Sequence, residues 1–451
     1  MKTNRRAFIK KAGAVSTGMI LAPQIARAGF SKNKNAGEVN IAFIGVGTRG
    51  RQHMKRIAKI EGVNITAFCD IDPVAIAKTH KLLADREKPE AKAYSDGEHA
   101  YEKLLQRDDI DGVIISTPWL WHTPMAVATM KAGKYAGVEV SAATTIKDCW
   151  DLVDTSEETG MPCMILENVN YRRDVMAVLN MVKQGIFGEI VHASCGYRHE
   201  LLFEKFNKDL KFGEGATGEA RWRTQHSLTR NADVYPTHGL GPIAKMLDIN
   251  RGNRLLYLTS MASKSVGLKD YVEQHPAGGK DHFAAKLPWK LGDVVTTTIK
   301  TSNGETIIVT HDCNLPRPYS LDFSVQGTDG ITDFDIDRRR IFIEGVTKHE
   351  GWQGGWEDFK AWQDKYEHPL WKKYGKTAAP SGHGGMDFFI TREFVNAIKE
   401  QRQPVLDVYD AAAWSAVTPL SEASIAMGSA PQYFPDFTRG NWIKRKPVEF
   451  V

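Results

Sequence analysis

The segment Gly45-Val46-Gly47-Thr48-Arg49-Gly50 constrains the fold more than any other stretch of this 451-residue chain. A GxGxxG pattern alone is weak evidence. Here the apolar run VNIAFI precedes it, a stretch with helical periodicity (51–60) follows it, and an acid, Asp70, stands where the next apolar run ends. Gly45, Gly47 and Gly50 allow a strand to turn tightly into a helix whose free N–H groups face a pyrophosphate, and the Asp70 carboxylate accepts hydrogen bonds from ribose hydroxyls. The chain is therefore expected to hold a dinucleotide. An acid at this position repels a 2′-phosphate, so NAD is expected rather than NADP.

The pattern continues as short apolar runs at 39–45, 64–70, 112–118, 135–140 and 162–168, separated by helical segments such as 146–159. This alternation predicts an α/β fold with a doubly wound parallel sheet over 39–170. After one helix at 174–184 the rhythm changes. Strands rich in Thr, Val and Tyr are read at 189–197, 255–262, 293–301, 306–313, 320–327, 330–335 and 340–344, with closing helices at 387–400 and 409–427. A second, α+β domain over 171–451 with a large open, mainly antiparallel sheet is expected. Any homo-oligomer is expected to form through that sheet.

The formal charge of +5 comes from the first 28 residues, which hold Lys2, Arg5, Arg6, Lys10, Lys11 and Arg27 and no acid, so that the remaining 423 residues carry −1. The basic excess is a leader and not a nucleic-acid surface. Its charged head, its apolar run at 12–23 and its Ala26-Arg27-Ala28 end resemble a twin-arginine signal, with 29–38 as a linker. The apolar run is too short to cross about 30 Å of bilayer as a helix. An exported, periplasmic or extracellular protein without a membrane span is expected. The five cysteines are widely spaced with no CxxC pair, which argues against disulfide staples and zinc, and no metal is expected.

By the switch-point rule the other strand ends face the same crevice: Ser116-Thr117-Pro118-Trp119-Leu120-Trp121-His122, then Val138-Glu139-Val140-Ser141, then Asn168. With the glycine fingerprint, Thr117-Pro118, His122-Thr123-Pro124 and Gly133-Lys134, the chain resembles the Gfo/Idh/MocA oxidoreductases, which pair a Rossmann domain with an open α/β sheet. Most of them have Glu-Lys-Pro where this chain has Glu139-Val140-Ser141, and Val140 cannot do the lysine's work in hydride chemistry. The segments LENVNYRRDVMAVLNMVKQGIFGEIVH, GYRHEL, RWRTQHSLTRNADVYPTHGLGP, RPYS and GHGGMDF resemble one branch, glycoside hydrolase family 109, the NAD-dependent α-N-acetylgalactosaminidases of bacteria. That family commonly has Pro where this chain has Ser141.

The resemblance implies NAD contacts at Thr48, Arg49, Asp70, Trp119, Leu120, Trp121, His122, Glu139, Val140 and Asn168, beside the three glycines. It implies contacts with a glycan or glycoside at Tyr197, Arg223, Tyr235, Pro236, Thr237, His238 and Tyr319. The implied mechanism oxidises the sugar at C3, which acidifies C2–H, eliminates the C1 leaving group, adds water and returns the hydride, so NAD is regenerated. His238 is the first candidate for acid/base work because imidazole titrates near neutrality, with Tyr197 and Tyr235 as relays that need activation by neighbours such as His199 or Arg223.

Two other functions stay open: a periplasmic NAD(P)-dependent sugar oxidoreductase with tightly bound cofactor, which Val140 disfavours, and a sugar-binding module that keeps NAD structurally. Several residues also have plainer readings. Tyr319 is either a sugar contact or an aromatic packed beside Pro318. His383 either lines the cleft or caps the helix that follows. Trp352, Trp356, Trp362, Tyr366 and Trp371 read as packing for a peripheral insertion before sugar stacking. Asp333, Asp335 and Asp337 alternate with Phe334 and Ile336 as a half-exposed strand does, and lack the glycine and terminal glutamate of a calcium loop.

Overall fold

Parallel strands flanked by helices need apolar side chains on both faces, and the first three long apolar runs supply them. The computed structural model describes residues 37–450 apart from 336–337 and 351–352, so the expected leader, Asp337 and Trp352 lie outside the described residues. Strands β1 (Val39–Ile44), β2 (Val63–Cys69), β3 (Lys92–Tyr94), β4 (Gly112–Ile115), β5 (Tyr135–Val138) and β6 (Cys163–Ile165) form one parallel sheet in the order β3-β2-β1-β4-β5-β6. The order reverses between β1 and β4, which opens the crevice at the carboxyl ends of the strands. The six-strand count exceeds the five runs read from sequence because β3 is three residues long and no more than half-buried, too short to show a period.

Helix α1 (Thr48–Ile57) follows the glycine loop, and α2 (Trp119–Lys131) begins directly after Pro118. Residues 119–122, read as a strand end, are therefore the first turn of a helix. Helix α3 (Ile146–Thr159) has the bounds its periodicity suggested, fixed by a capping box between Thr145 and Asp148 and by Gly160 in the left-handed region at φ 69°.

The second sheet contains β7 (Ile190–Arg198), β8 (Leu255–Ala262), β9 (Val294–Thr301), β10 (Thr306–Asp312), β11 (Phe323–Gly327), β12 (Gly330–Phe334) and β13 (Arg339–Ile343). Their order is β13-β12-β11-β7-β10-β9-β8, with the short pieces Glu357–Asp358 and Gln432–Tyr433 on the two edges. Every neighbouring pair is antiparallel except β7 and β10, which run parallel with Tyr197 opposite His311. Helix α4 (Arg223–Thr229) is followed by α5 (Thr237–Met246), which packs on β7.

The end of the chain returns to the first sheet. Helix α6 (Met386–Lys399) covers β4 and β5 so closely that a Cβ on Gly112 would meet Ile398 at 2.5 Å and one on Gly137 would meet Phe394 at 2.9 Å. Residues 409–427, read as one helix, are two: α7 (Val408–Ser415) and α8 (Val417–Ala426). Pro419 lacks the N–H that would bond the Ser415 carbonyl, and its ring crowds that oxygen, so the helix breaks there. All five cysteines are buried and free. Among the described residues no helix is long and apolar enough to cross a membrane.

Candidate functional site

The glycine loop has the shape its sequence requires. Gly45 turns at φ 83° with its missing Cβ 2.6 Å from the Ser116 carbonyl oxygen, and a Cβ on Gly50 would overlap the Gly45 carbonyl. Gly47 instead faces open space. It stands at the start of α1, where no side chain caps the helix and no acid lies in the first turn, so the leading N–H groups stay available to an anion. Asp70 accepts the Val46 N–H at 2.7 Å and the Asp72 N–H at 2.9 Å, which pins the loop to the end of β2. A cradle open at Gly47, with an acid at the neighbouring strand end, fits a dinucleotide.

The rim residues divide by position. Trp119 is buried and donates its indole N–H to the Val140 carbonyl at 3.1 Å. Leu120 is exposed, and Trp121 packs edge-on against His99 and Tyr101. The buried His122 ring spans the carbonyls of Thr117 and Ser141, each 2.7 Å away, and so ties two rim loops together. Glu139 is held by Arg49 at 2.6 Å and His53 at 2.5 Å. Burial raises the Glu139 pKa, but Arg49 and His53 outweigh it and hold the carboxyl well below the usual range. Asn168 donates to Asp387 at 2.8 Å, and Arg49 reaches the same carboxylate. Asp387 was not read as a site residue. Its signal was its place in GHGGMDF, two residues past the last glycine pair.

The sugar-side residues do converge. Gly239 opens α5 against Gly196 of β7, where a Cβ would stand 2.6 Å from the Gly196 nitrogen. This approach puts Tyr197, Tyr235 and His238 side by side, with ring centroids 4.6 Å apart for the two tyrosines and 5.4 and 5.0 Å from them to His238. Tyr235 also stacks on Trp119 at 5.6 Å, and the Arg223 guanidinium lies over Trp119, Trp222 and Tyr235. Arg223 forms an ion pair with Glu219. Thr237 is fully buried with its hydroxyl unpartnered, and Pro236 is the residue just before α5. Tyr319 sits at the mouth, 40% exposed, 6.4 Å from Tyr197 and 5.3 Å from His199, with Arg172 against its hydroxyl.

His238 has a partner that sequence reasoning passed over. Its Nδ1 lies 2.5 Å from Glu167, a fully buried carboxylate that also accepts N–H groups from Val169, Asn170 and the Asn170 side chain. With three other donors converging on it, Glu167 acts as acceptor, so Nδ1 donates to it and Nε2 is the ring nitrogen turned away from that bond. Glu167 is the last residue before Asn168, at the end of the third rim strand, and that position was its only signal.

Burial pushes the Tyr197 phenol well above its usual range, Tyr235 adds to this, and Arg223 only partly opposes it. Burial likewise raises Tyr235 against the opposing Arg223. Neither neighbour activates a phenolate, so both tyrosines are neutral donors. Burial also raises Asp233 to about 7, against the Tyr235 backbone N–H that its carboxyl accepts at 3.1 Å.

Of the remaining candidates, His383 stays at the rim and the others lie in packing, on strands or at the surface. His383 bonds Asp387 at 2.7 Å and caps no helix N–H. Trp362 stacks on Tyr366 at 5.9 Å and Trp371 donates to the Tyr171 carbonyl, both buried as packing, whereas Trp356 is exposed with the Arg340 guanidinium over its ring. Asp333 pairs with Arg340 at 2.7 Å on the adjacent strand. Among the described residues no group of three or more His, Cys, Asp or Glu is placed to hold a metal.

Comparison with known proteins agrees with this division. Residues 39–166 match the oxidoreductase family with an NAD-binding Rossmann fold, and residues 171–444 match the C-terminal domain of glycosyl hydrolase 109. An alpha-N-acetylgalactosaminidase of Tannerella forsythia is 48% identical over 473 aligned positions, covering 99% of both chains. A glycosyl hydrolase family 109 protein of Parabacteroides distasonis is 47% identical, again covering 99% of both. Among solved structures, levoglucosan dehydrogenase in complex with NADH and L-sorbose shares the fold at a TM-score of 0.65 and 18% identity, over 89% of this chain and all of that one. A myo-inositol dehydrogenase from Lactobacillus casei does so at 0.58 and 16%, over 89% and 99%. A Rossmann domain joined to a family-specific sugar-side sheet over the whole length identifies the chain as a glycosidase of glycoside hydrolase family 109.

Proposed function

We propose that this glycosidase removes terminal α-N-acetylgalactosamine residues, keeps NAD as a resident cofactor, and works outside the cytoplasm. The observation that carries the reading is the Glu167–His238 pair set against Tyr197 and Tyr235. The name of the Tannerella forsythia relative supports the sugar. The basic leader with its paired arginines supports export in a folded state, and periplasmic protein with Gly29 as its first residue is the expected product.

Most glycosidases attack or protonate the glycosidic bond with two carboxylates. Here Glu139 is tied up by Arg49 and His53, and Glu167 by four N–H donors, so neither is free to flank a sugar carbon. When bound, NAD supplies a reversible hydride acceptor for a sugar carbinol carbon. Gly47, Thr48 and Arg49 would hold its pyrophosphate at the start of α1, with Asp70 at the ribose. His238 Nε2 takes the proton that leaves the sugar, and Glu167 stabilises the imidazolium that results. Tyr197 and Tyr235, kept neutral by burial, donate hydrogen bonds to the oxygen on which negative charge develops. Arg223 and Tyr319 orient the sugar, and the Trp119–Tyr235 stack excludes water from its ring face.

The test is hydrolysis of p-nitrophenyl α-N-acetylgalactosaminide in deuterium oxide without added reductant. Nitrophenol release with deuterium at C2 of the freed sugar is expected; release without C2 exchange would sink the mechanism. Oxidised sugar with stoichiometric NADH would make the protein an oxidoreductase, and cleavage of other aryl glycosides alone would change the sugar.

A further inference from the structure

Asp387 receives more bonds than any plain fold contact requires, and they come from three parts of the chain. Its Oδ1 accepts Arg49 Nη2 at 3.1 Å and Asn168 Nδ2 at 2.8 Å; its Oδ2 accepts Arg49 Nη1 at 3.0 Å and lies 3.0 Å from Arg56 Nη2 and 2.7 Å from His383 Nδ1. Asp387 is fully buried, although the segment before it is a surface loop. That loop is strapped to α1: Arg56 Nε donates to the Ser381 carbonyl at 2.5 Å, and a Cβ on Gly382 would overlap the Arg56 guanidinium. Residues 382–385 all have positive φ, and His383 adopts it at 45° without being a glycine. The chain bends sharply here to bring one carboxylate from the far end of the sequence onto the dinucleotide loop.

We propose that Asp387 is a positioning residue for the cofactor: it locks Arg49 of the glycine loop and Asn168 of the rim into one frame, so that retention of NAD depends on the segment from Ser381 to Asp387. This rests on the reading that NAD binds at the glycine loop, and it adds to it a cross-domain clasp. Arg49 and Asn168 are separated by 119 positions in sequence, yet both bond this one carboxylate. Without it, two cations and an amide at the rim lose a common acceptor, and Arg49 is free to follow Glu139 alone. A cofactor that stays bound through many turnovers, and through export, needs a slow dissociation step, and a clasp closed by the second domain supplies one.

The experiment measures NADH affinity of cofactor-stripped full-length protein by nicotinamide fluorescence, together with the NAD content of the protein as purified. Asp387→Asn is expected to weaken NADH binding about tenfold or more and to lower NAD content. Glu393→Gln is the control: it removes a buried carboxylate on the same helix, bonded to Arg402 at 2.7 and 2.8 Å, and is expected to lower the thermal midpoint while leaving NADH affinity within about twofold. If Asp387 acts through Arg49, Asp387→Asn changes NADH affinity little in an Arg49→Ala background. Should Asp387→Asn fail to fold, His383→Ala, at a half-exposed position, carries the test with an expected loss of about threefold. Unchanged NADH affinity in the folded variant, or full additivity with Arg49→Ala, overturns the clasp. Wild-type protein that binds no NADH overturns the cofactor reading itself.

Discussion

The two walls of the crevice are built from opposite materials. On the dinucleotide wall the charge is closed on itself: Arg49, His53 and Arg56 face Glu139 and Asp387, and each carboxylate has several donors. On the sugar wall the rings of Trp119, Tyr197, Tyr235 and His238 form the surface, and polar atoms without partners lie among them, including Thr237 Oγ1, His199 Nδ1 and Asp233 Oδ2. A buried polar atom left unpaired costs about 1–3 kcal/mol. On the first wall the charged groups are paired before a ligand arrives and the open groups are the leading N–H groups of α1 with Ser116 Oγ, Ser141 Oγ and His53 Nδ1; on the second the open groups lie among the aromatic rings. This division suits a cofactor that stays and a substrate that leaves.

Breaking the sugar wall has the largest expected effect. His238→Ala is expected to lower kcat/KM on p-nitrophenyl α-N-acetylgalactosaminide about 10³-fold while the NAD content of the purified protein stays as in wild type. Glu167→Gln keeps the imidazole but removes the negative charge behind it and sets an NH2 among donors that converge on both carboxylate oxygens, so a loss of about 10–100-fold in kcat is expected. If His238→Ala also empties the cofactor site, the two walls are not separable in the way the geometry argues.

Legibility in the sequence follows the same division. The glycine loop and Asp70 are contiguous in pattern, because a strand, a tight turn and a helix each leave a local mark, and the bounds of α3 and β8 were readable for that reason. Tyr197, Tyr235 and His238 were legible only through family motifs; nothing in their spacing says that Gly196 and Gly239 touch. Glu167 and Asp387 were missed because their role is a hydrogen bond across 71 and 219 positions, to His238 and Asn168, and long-range pairing leaves no local trace. The third strand was lost to its shortness and the break at Ala416 to a proline inside an otherwise helical pattern.

Two glycines sharpen the comparison at smaller scale. Gly239→Ala puts a methyl 2.6 Å from the Gly196 backbone, where nothing can yield without shifting β7 against α5. A loss of about 1–3 kcal/mol is expected, seen as a lower urea midpoint, together with reduced turnover. Gly47→Ala meets no atom within 4 Å and sits at φ −60°, so folding stability is expected to hold. Its methyl enters the space left for the pyrophosphate, and weaker NADH binding at an unchanged urea midpoint is the expected outcome. The same chemical change thus acts on the fold at one wall and on the ligand at the other.

The smallest expected effect on turnover belongs to Asp233, and it reads the sugar wall through pH. Its carboxyl is buried behind Tyr235 and raised by that burial to about 7, whereas an aspartate in the unfolded chain titrates near about 4. Between those values the folded protein holds a proton that the unfolded chain has released, so the stability contributed by this group is whole below about pH 4, falls as pH rises, and is lost above about pH 7. Asp233→Asn does not titrate. Relative to wild type it is expected to be near neutral at pH 4 and to gain about 2–4 kcal/mol at pH 8, measured by urea unfolding at both values. A difference that does not change with pH would mean that Asp233 is ionised in the fold and has a cationic partner, and the sugar wall would then be paired like the cofactor wall. A difference that grows through neutrality would leave a protonated acid beside the Tyr235 backbone, with one oxygen bonded to its N–H and the other unpartnered, unlike the closed pairs around Glu139 and Asp387.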